Sequence, residues 1–429
     1  MNFCIHTVTR SYISTQVNEE DVQMTNYFES EYTNYKVLIS GAGIAGLATA
    51  YWLAKYGFIV TVVERADTIR EGGYPVDIEG KAIEVTKRMG IETKLRTSHI
   101  NTDKITFKTP EGQTEATLPL EWIQASGEDG ESVELPRGTL ANILFEETRK
   151  QNIHFLFTNS IRTMKANSED VDVTFQNGKE EVFHYMIGAD GIHSNTRDLS
   201  LGREEEYIRY LGYNFYGSTI PNHLQLSKEA LIQSAPGRSA IFYEIGDGFS
   251  VHVLLATKSE KALSAEKGTR SLYQEQFLEK FPEKDWKIPN LKEDLQESTE
   301  GYYDMVAQVH LPVWSKNRIA FVGDAAFAPS FLSGQGTSLA LIGAYVLAGE
   351  LATKNDFTAA FSEYETKLRP FVEEKQKSAY ESAAILIPAT KEDIDKRNHL
   401  LTALQSASKQ EISKGEPKNI SYAFDLPEY

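Results

Sequence analysis

Between Lys36 and Arg65 the chain spells out a βαβ unit that binds a nucleotide, and few folds accommodate it. Val37-Leu38-Ile39 reads as the buried first strand of a parallel sheet, and Ile59 to Val63 as the second. Between them Gly41-Ala42-Gly43-Ile44-Ala45-Gly46 fits G-x-G-x-x-G and runs into a helix over Leu47 to Lys55. Gly41 makes the tight turn, Gly43 admits a pyrophosphate to the backbone, and Gly46 lets helix and strand pack closely. The helix N-terminus offers free N–H groups to phosphate oxygens. Glu64 ends the second strand, where a carboxylate accepts hydrogen bonds from a ribose diol and repels a 2′-phosphate. The unit therefore favours FAD or NAD over NADP as its resident dinucleotide.

The chain has 429 residues, more than one hydrophobic core usually serves, so two domains or one composite domain are expected. A formal charge of -17 argues against nucleic acid and anionic membranes as main partners. Cys4 is the only cysteine, which excludes an internal disulfide and a thiolate metal cluster and suits a reducing cytoplasm. Met1 to Tyr35 lacks the apolar core of a secretory signal and reads as a polar extension, within which Met24 could serve as an alternative start. Ala325 to Gly349 is the longest uncharged stretch, but Pro329 and the Ser333-Gly334-Gln335-Gly336 run interrupt it, leaving too short an apolar helix to span a bilayer.

Two more motifs follow. Val182 to Ile187 reads as a strand that delivers Gly188-Ala189-Asp190-Gly191-Ile192-His193-Ser194-Asn195-Thr196-Arg197. Alone, this is equally a surface turn capped by Asp190, with Arg197 an ordinary helix residue. Further on, a strand over Ile319 to Val322 delivers Gly323-Asp324-Ala325-Ala326, then Pro329 and Gly334-Gln335-Gly336-Thr337, opening an apolar helix over Ser338 to Leu351. Strand, acid, glycine loop and helix N-terminus make a second site for a cofactor's polar oxygens.

In this order the three motifs resemble those of the group A flavoprotein monooxygenases, the family of para-hydroxybenzoate hydroxylase, from about Lys36 to Ala352. The resemblance implies an α/β fold: a Rossmann-like FAD-binding domain, an inserted mainly antiparallel β-sheet substrate domain, and a C-terminal helical cap. The corresponding division is an extension over 1–35, FAD-binding parts over 36–203 and 306–352, a substrate sheet over 204–305, and a helical region over 353–429.

By the same resemblance Gly41, Gly43 and Gly46 would hold the FAD pyrophosphate, Glu64 the adenosine ribose, and Arg65 would lie beside the adenine. Arg137, in Glu134-Leu135-Pro136-Arg137-Gly138, would reach toward the flavin; as residues alone it reads equally as an exposed helix-terminal arginine. Asp190 would lie near the pyrophosphate and the path of the nicotinamide cofactor. Gly323-Asp324 would take the ribityl chain, and Pro329 with Gly334 to Thr337, Gly336 included, would line the isoalloxazine. Gly72-Gly73-Tyr74 falls where the family has a loop under the mobile flavin, making Arg70 and Asp77 candidate cofactor contacts. Many members carry His where this chain has Phe327, which implies a more apolar pocket floor here. Only one complete dinucleotide fingerprint is present, consistent with a nicotinamide that docks transiently. The chemistry implied is reduction of FAD by NADPH (or NADH), addition of O2 to give a C4a-hydroperoxide, and transfer of one oxygen atom to an electron-rich substrate. No catalytic acid or base is legible.

Between the second and third motifs, Tyr210 to Tyr216, Ala240 to Ile245 and Phe249 to Leu255 read as antiparallel strands joined by the Ala235-Pro236-Gly237 and Gly246-Asp247-Gly248 turns. In the family such a sheet walls the flavin, so Tyr213, Phe215, Arg238 and Phe242 are candidates to face a small-molecule substrate; any one of them reads equally well as sheet core. Ala359 to Ser378, Ser382 to Pro388 and Ile394 to Ser406 have helical spacing. A bridging C-terminal helix and the Gly323 to Ser330 sequence are similar to those of the tetracycline destructases, a subgroup that inactivates tetracyclines. Another polyketide or phenol hydroxylase would share these features. A flavin-dependent halogenase is a rival, since Trp286-Lys287-Ile288-Pro289 matches half of that group's W-x-W-x-I-P, with Lys284 in place of the first Trp. A saturase or reductase of the same fold would carry the same motifs, and so would a flavin-binding protein without turnover. Nothing demands a dimer, and a monomer is expected.

Overall fold

The computed structural model describes residues 34–120, 132–263, 270–282, 289–298, 301–406 and 424–429. The proposed extension up to residue 33 and the halogenase-like Trp286-Lys287-Ile288 lie outside them. A six-stranded sheet runs β17 (Ser315–Lys316), β18 (Ile319–Phe321), β11 (Tyr185–Gly188), β1 (Lys36–Ser40), β2 (Ile59–Val63), β7 (His154–Leu156). All its pairings are parallel except β17 with β18. The helix Ile44–Lys55 covers it, packed on Gly336–Thr353, and β1, β2 and β11 show the near-continuous burial of a parallel sheet. Gly336–Thr353 is apolar and long enough to cross a membrane, but 83% of it is buried against its neighbours, as in a core helix.

The run Val182 to Ile187 is not one strand. β10 (Glu180–Phe183) pairs antiparallel with β9 (Val171–Phe175) in a small sheet with β8 (Ile161–Ala166), and the chain then kinks at His184 to enter β11. The His184 amide donates to the Lys36 carbonyl at 2.9 Å, tying the kink to the start of β1. Uninterrupted apolar alternation hides such a change of sheet.

A seven-stranded sheet runs β16 (Tyr302–Val309), β12 (Ile208–Pro221), β15 (Ser250–Lys258), β14 (Arg238–Glu244), β13 (Glu229–Ala235), β4 (Lys104–Lys108), β5 (Thr114–Pro119). It is antiparallel except where β13 meets β4. The expected turns join its hairpins, and β4 and β5 were not anticipated from sequence. One face packs on the helices Arg270–Glu279 and Pro289–Glu297, through Phe277, Leu291 and Leu295. The other packs on Phe357–Leu386 and Lys391–Ser406, through Ala379, Ala383 and Leu401. A ribbon of β3 (Pro75–Glu79) and β6 (Ser132–Pro136) completes the strands.

Phe357–Leu386 is one 30-residue helix where the sequence suggested two pieces. It continues through Pro370, at the cost of one backbone hydrogen bond. Near its start Tyr364 donates to the Phe321 carbonyl of the parallel sheet at 3.0 Å. Near its end it lies on the second sheet, so the helix bridges the two.

Candidate functional site

β1, β11 and β18 are adjacent, with Ser40 opposite Gly188 and Gly188 opposite Phe321. The three motifs therefore leave the sheet side by side at its carboxyl edge, where open α/β sheets receive ligands. Backbone bonds lock them together: Ala189 N–H to the Ser40 carbonyl at 2.9 Å, and Val322 N–H to the Gly188 carbonyl at 3.0 Å.

The glycines differ in what they do. Gly41 has φ +102°, and a Cβ there would stand 2.6 Å from the Ala189 carbonyl oxygen. A Cβ on Gly46 would stand 1.9 Å from the Gly41 oxygen. One on Gly43 would meet only the Arg137 Nη2, at 3.9 Å, so this side of the turn is open. Glu64 accepts from the amides of Ala42 (2.8 Å) and Ala66 (2.9 Å), one on each carboxylate oxygen, and so braces the turn.

Arg137 opens the helix Arg137–Arg149, and the Gly72-Gly73 loop closes over its stem. A Cβ on Gly138 would collide with the Glu71 carbonyl oxygen at 1.7 Å, and one on Gly73 would lie 2.9 Å from Arg137 Cδ. Arg137 is not the exposed terminal arginine that its sequence position also allowed: its Nη1 is buried and has no hydrogen-bond partner. A buried guanidinium nitrogen beside an open glycine cradle fits an anionic, oxygen-rich group such as a pyrophosphate or flavin carbonyl.

In front of this edge lies a cleft of about 1320 Å³ between the two large sheets. Arg65, Arg70, Asp77, Arg137, Asp190 and Asp324 line it, as do Pro329, Gly334 and Gly336. Gly41, Gly43, Gly46, Glu64 and Gly323 are not part of its lining. Asp324 is exposed to the cleft, and desolvation raises its pKa, opposed by Arg137. Asp190 accepts from the Thr196 amide (2.9 Å), the Thr196 and Ser40 hydroxyls (2.8 and 3.3 Å) and the Ser194 hydroxyl. It both faces the cleft and holds its own turn.

On the substrate side the sequence chose one face of β14 wrongly. Phe215 lines the cleft, edge-on to Phe331 at 4.9 Å. Phe242 and Arg238 point to the opposite face, Phe242 into the core with Phe277 and Arg238 over the Phe281 ring with a hydrogen bond to the Lys280 carbonyl. Strand side chains alternate, so Ile241 and Tyr243 face the cleft instead. Tyr213 follows a register shift in β12 near Gly212 and is not part of the lining. Phe327 makes no pocket floor: it is 1% exposed and packs on Trp314. The lining missed from sequence includes Tyr302, Phe331, Glu134, His193 and Asp304. Tyr74, known only as part of its loop, stands between Tyr302 and Phe331, its hydroxyl pushed up to about 12 by burial. Behind them, buried His252 is driven down to about 3 and stays neutral, with its Nε2 3.0 Å from the Tyr302 hydroxyl.

His193 is held between two carboxylates, Nδ1 at 3.1 Å from Glu204 and Nε2 at 3.0 Å from Asp304. Its pKa rises to about 10, chiefly through the Asp304 and then the Glu204 hydrogen bond. It thus ties the turn after β11 to β16 of the second sheet. Because the folded value exceeds the ordinary histidine value near 6.5, its contribution is full below that value and lost as pH rises toward 10. Thermal melts of His193→Asn are expected to lie below wild type near pH 6 and to converge with it by about pH 10; a gap independent of pH would refute the ion-pair origin.

The sequence matches the family described as FAD binding domain over residues 34–375. A flavin-dependent monooxygenase from an unknown prokaryotic organism is 34% identical, the alignment covering 92% of this chain and 99% of that one. The crystal structure of tetracycline destructase Tet(51) superposes with a TM-score of 0.77 at 30% identity, covering 92% of this chain and 100% of its own. That of tetracycline destructase Tet(55) gives 0.76 at 32%, covering 92% and 98%.

Proposed function

The chain belongs to the FAD binding domain family and is a group A FAD-dependent monooxygenase, and on that premise we propose that it oxidises and inactivates tetracycline-type polyketides with NADPH as reductant. The observation that carries this reading is the cleft. At about 1320 Å³ it exceeds the roughly 300–1,000 Å³ of ordinary small-molecule pockets, leaving room for a flavin ring and a multi-ring substrate together. The likeness to two tetracycline destructases supports tetracyclines as the substrate class.

In this reading Gly41, Gly43 and Gly46 receive the pyrophosphate, Glu64 the ribose, Asp324 the ribityl hydroxyls and Arg137 an anionic edge of the cofactor. Arg65, Arg70, Asp77 and Asp190 add contacts, and Pro329 with Gly334 to Thr337 approaches the ring. Bound FAD supplies the redox chemistry, by which electrons from NADPH activate O2 and one oxygen atom enters the substrate. The chain's share is to orient the reactants and exclude water. Tyr74, Phe215, Tyr302 and Phe331 form an aromatic wall for a flat substrate, and the two tyrosine hydroxyls, both held protonated by burial, donate hydrogen bonds rather than act as bases.

The test is mass spectrometry of tetracycline incubated with the FAD-loaded protein and NADPH. An NADPH-dependent gain of one oxygen atom is expected. NADPH consumption with unchanged tetracycline would keep the monooxygenase and move the substrate to another polyketide or phenol.

A further inference from the structure

On the side of the cleft formed by the β3–β6 ribbon, Asp77 and Glu134 occupy directly opposed positions. Both line the cleft. Glu134 is 6% exposed and accepts from the Thr102 hydroxyl at 2.8 Å. The Asp77 Oδ1 is buried and has no hydrogen-bond partner. Side chains at such opposed positions have Cβ atoms about 5 Å apart, and like charges there repel. Burial raises the pKa of both carboxyls; Glu134 and Glu79 add to the rise at Asp77, while Thr102 and His99 moderate that at Glu134. Two carboxyls so placed resist being ionised together.

Ile105, Ala230, Ile241 and Leu254 line the same cleft as an apolar surface, and Tyr243 lies near enough to both carboxyls for them to raise its pKa. Every charged group that acts on Asp77 is acidic. Arg137 acts instead on Asp324 and Tyr74, and Lys375 on Glu79. His99 acts favourably on Glu134 but no basic group acts on Asp77, so ionising the pair is costly and a ligand that brings a cation offsets the cost.

We propose that the Asp77–Glu134 pair seats a protonated amine carried by an otherwise apolar, phenolic substrate. The proposal rests on the reading above only in taking this cleft as the substrate site. Substrates anchored through an aryl carboxylate are disfavoured at this end, because they would add a second negative charge. Asp77 is also a candidate cofactor contact, so Glu134 is the residue that separates the two roles.

The probes are 4-(dimethylaminomethyl)phenol and its uncharged isostere 4-isobutylphenol, each titrated near neutral pH into FAD-loaded protein while the flavin absorbance is followed. Wild type is expected to bind the amine at least about tenfold more tightly, the worth of one charge-assisted hydrogen bond. Glu134→Gln should abolish the preference while still binding 4-isobutylphenol, and Glu134→Met serves as the second variant if Glu134→Gln does not fold. Equal affinities in wild type, no binding of the amine, or a preference that survives both substitutions would overturn the proposal. Failure of the tetracycline reading is distinguishable, since it leaves tetracycline unchanged in mass while the amine preference persists.

Discussion

Gly46→Ala is expected to purify without bound flavin and to lose about 3 kcal/mol or more of stability, read as a lowered Tm and flavin absorbance per protein near zero. The added methyl would stand 1.9 Å from the Gly41 carbonyl oxygen, well inside van der Waals contact. That oxygen belongs to a backbone turn, which cannot swing away as a flexible side chain could. Relief requires moving either the helix Ile44–Lys55, which packs on Gly336–Thr353, or the turn, which is bonded to β2 through Gly41 N–H and the Val63 carbonyl at 2.8 Å. Overpacking in such a place costs on the order of 1–3 kcal/mol, occasionally more, and this overlap is severe. Gly43→Ala is the contrast. Its methyl would meet nothing nearer than the Arg137 Nη2 at 3.9 Å, so the fold should survive while FAD affinity falls at least about tenfold, because the methyl enters the cradle assigned to the pyrophosphate. A flavin-replete Gly46→Ala protein with wild-type Tm would refute the packing role given to this glycine.

Much of the nucleotide half was legible because its signals are local. Strand, glycines, helix and acid follow one another within thirty residues, and each has a backbone reason that shows in the residue type. The bounds Ile59–Val63 came directly from the β-branched run. Legibility failed where the deciding fact was non-local. Which face of β14 meets the cleft depends on what packs behind it, and the helices that bury Phe242 are remote in sequence. Tyr302 and Asp304 lie on β16, between the second and third motifs and part of neither, and join the site only because β16 pairs with β12. Phe327 shows the same limit: a resemblance located it correctly in the chain, but Trp314, a neighbour through space, draws it into the core. The carboxyl pair was half visible, since Asp77 was a candidate cofactor contact while Glu134 only opened the run that carries Arg137, and only the pairing of β3 with β6 brings them together.

Arg197 is the sharpest instance of a residue whose sequence reading and structural role differ, and it carries the second large prediction. In the chain it could pass for an ordinary residue of a short helix. In the fold it is 0% exposed, with Nη1 donating to the Ala325 carbonyl at 3.1 Å and Nη2 to the Ile192 carbonyl at 2.7 Å. One guanidinium therefore joins the turn after β11 to the loop after β18, and Glu204, 3.8 Å away, is its counter-ion. Glu204 is also a partner of His193, so the arginine and the histidine share one carboxylate. Arg197→Met keeps much of the volume but removes both donors, leaving the buried Ala325 carbonyl unpaired and Glu204 with the histidine alone. Removing one member of such a pair costs about 3–5 kcal/mol when both are fully buried, and the 31% exposure of Glu204 places the expectation at the lower end, about 3 kcal/mol. Since Asp190 and Asp324 stand on the two loops so joined, the same substitution should weaken FAD binding by more than tenfold. Arg197→Lys should rescue little, because a single ammonium cannot reproduce the planar fork that reaches two carbonyls at once. A methionine variant that melts like wild type and retains its flavin would show that the parallel sheet alone holds the two loops in register.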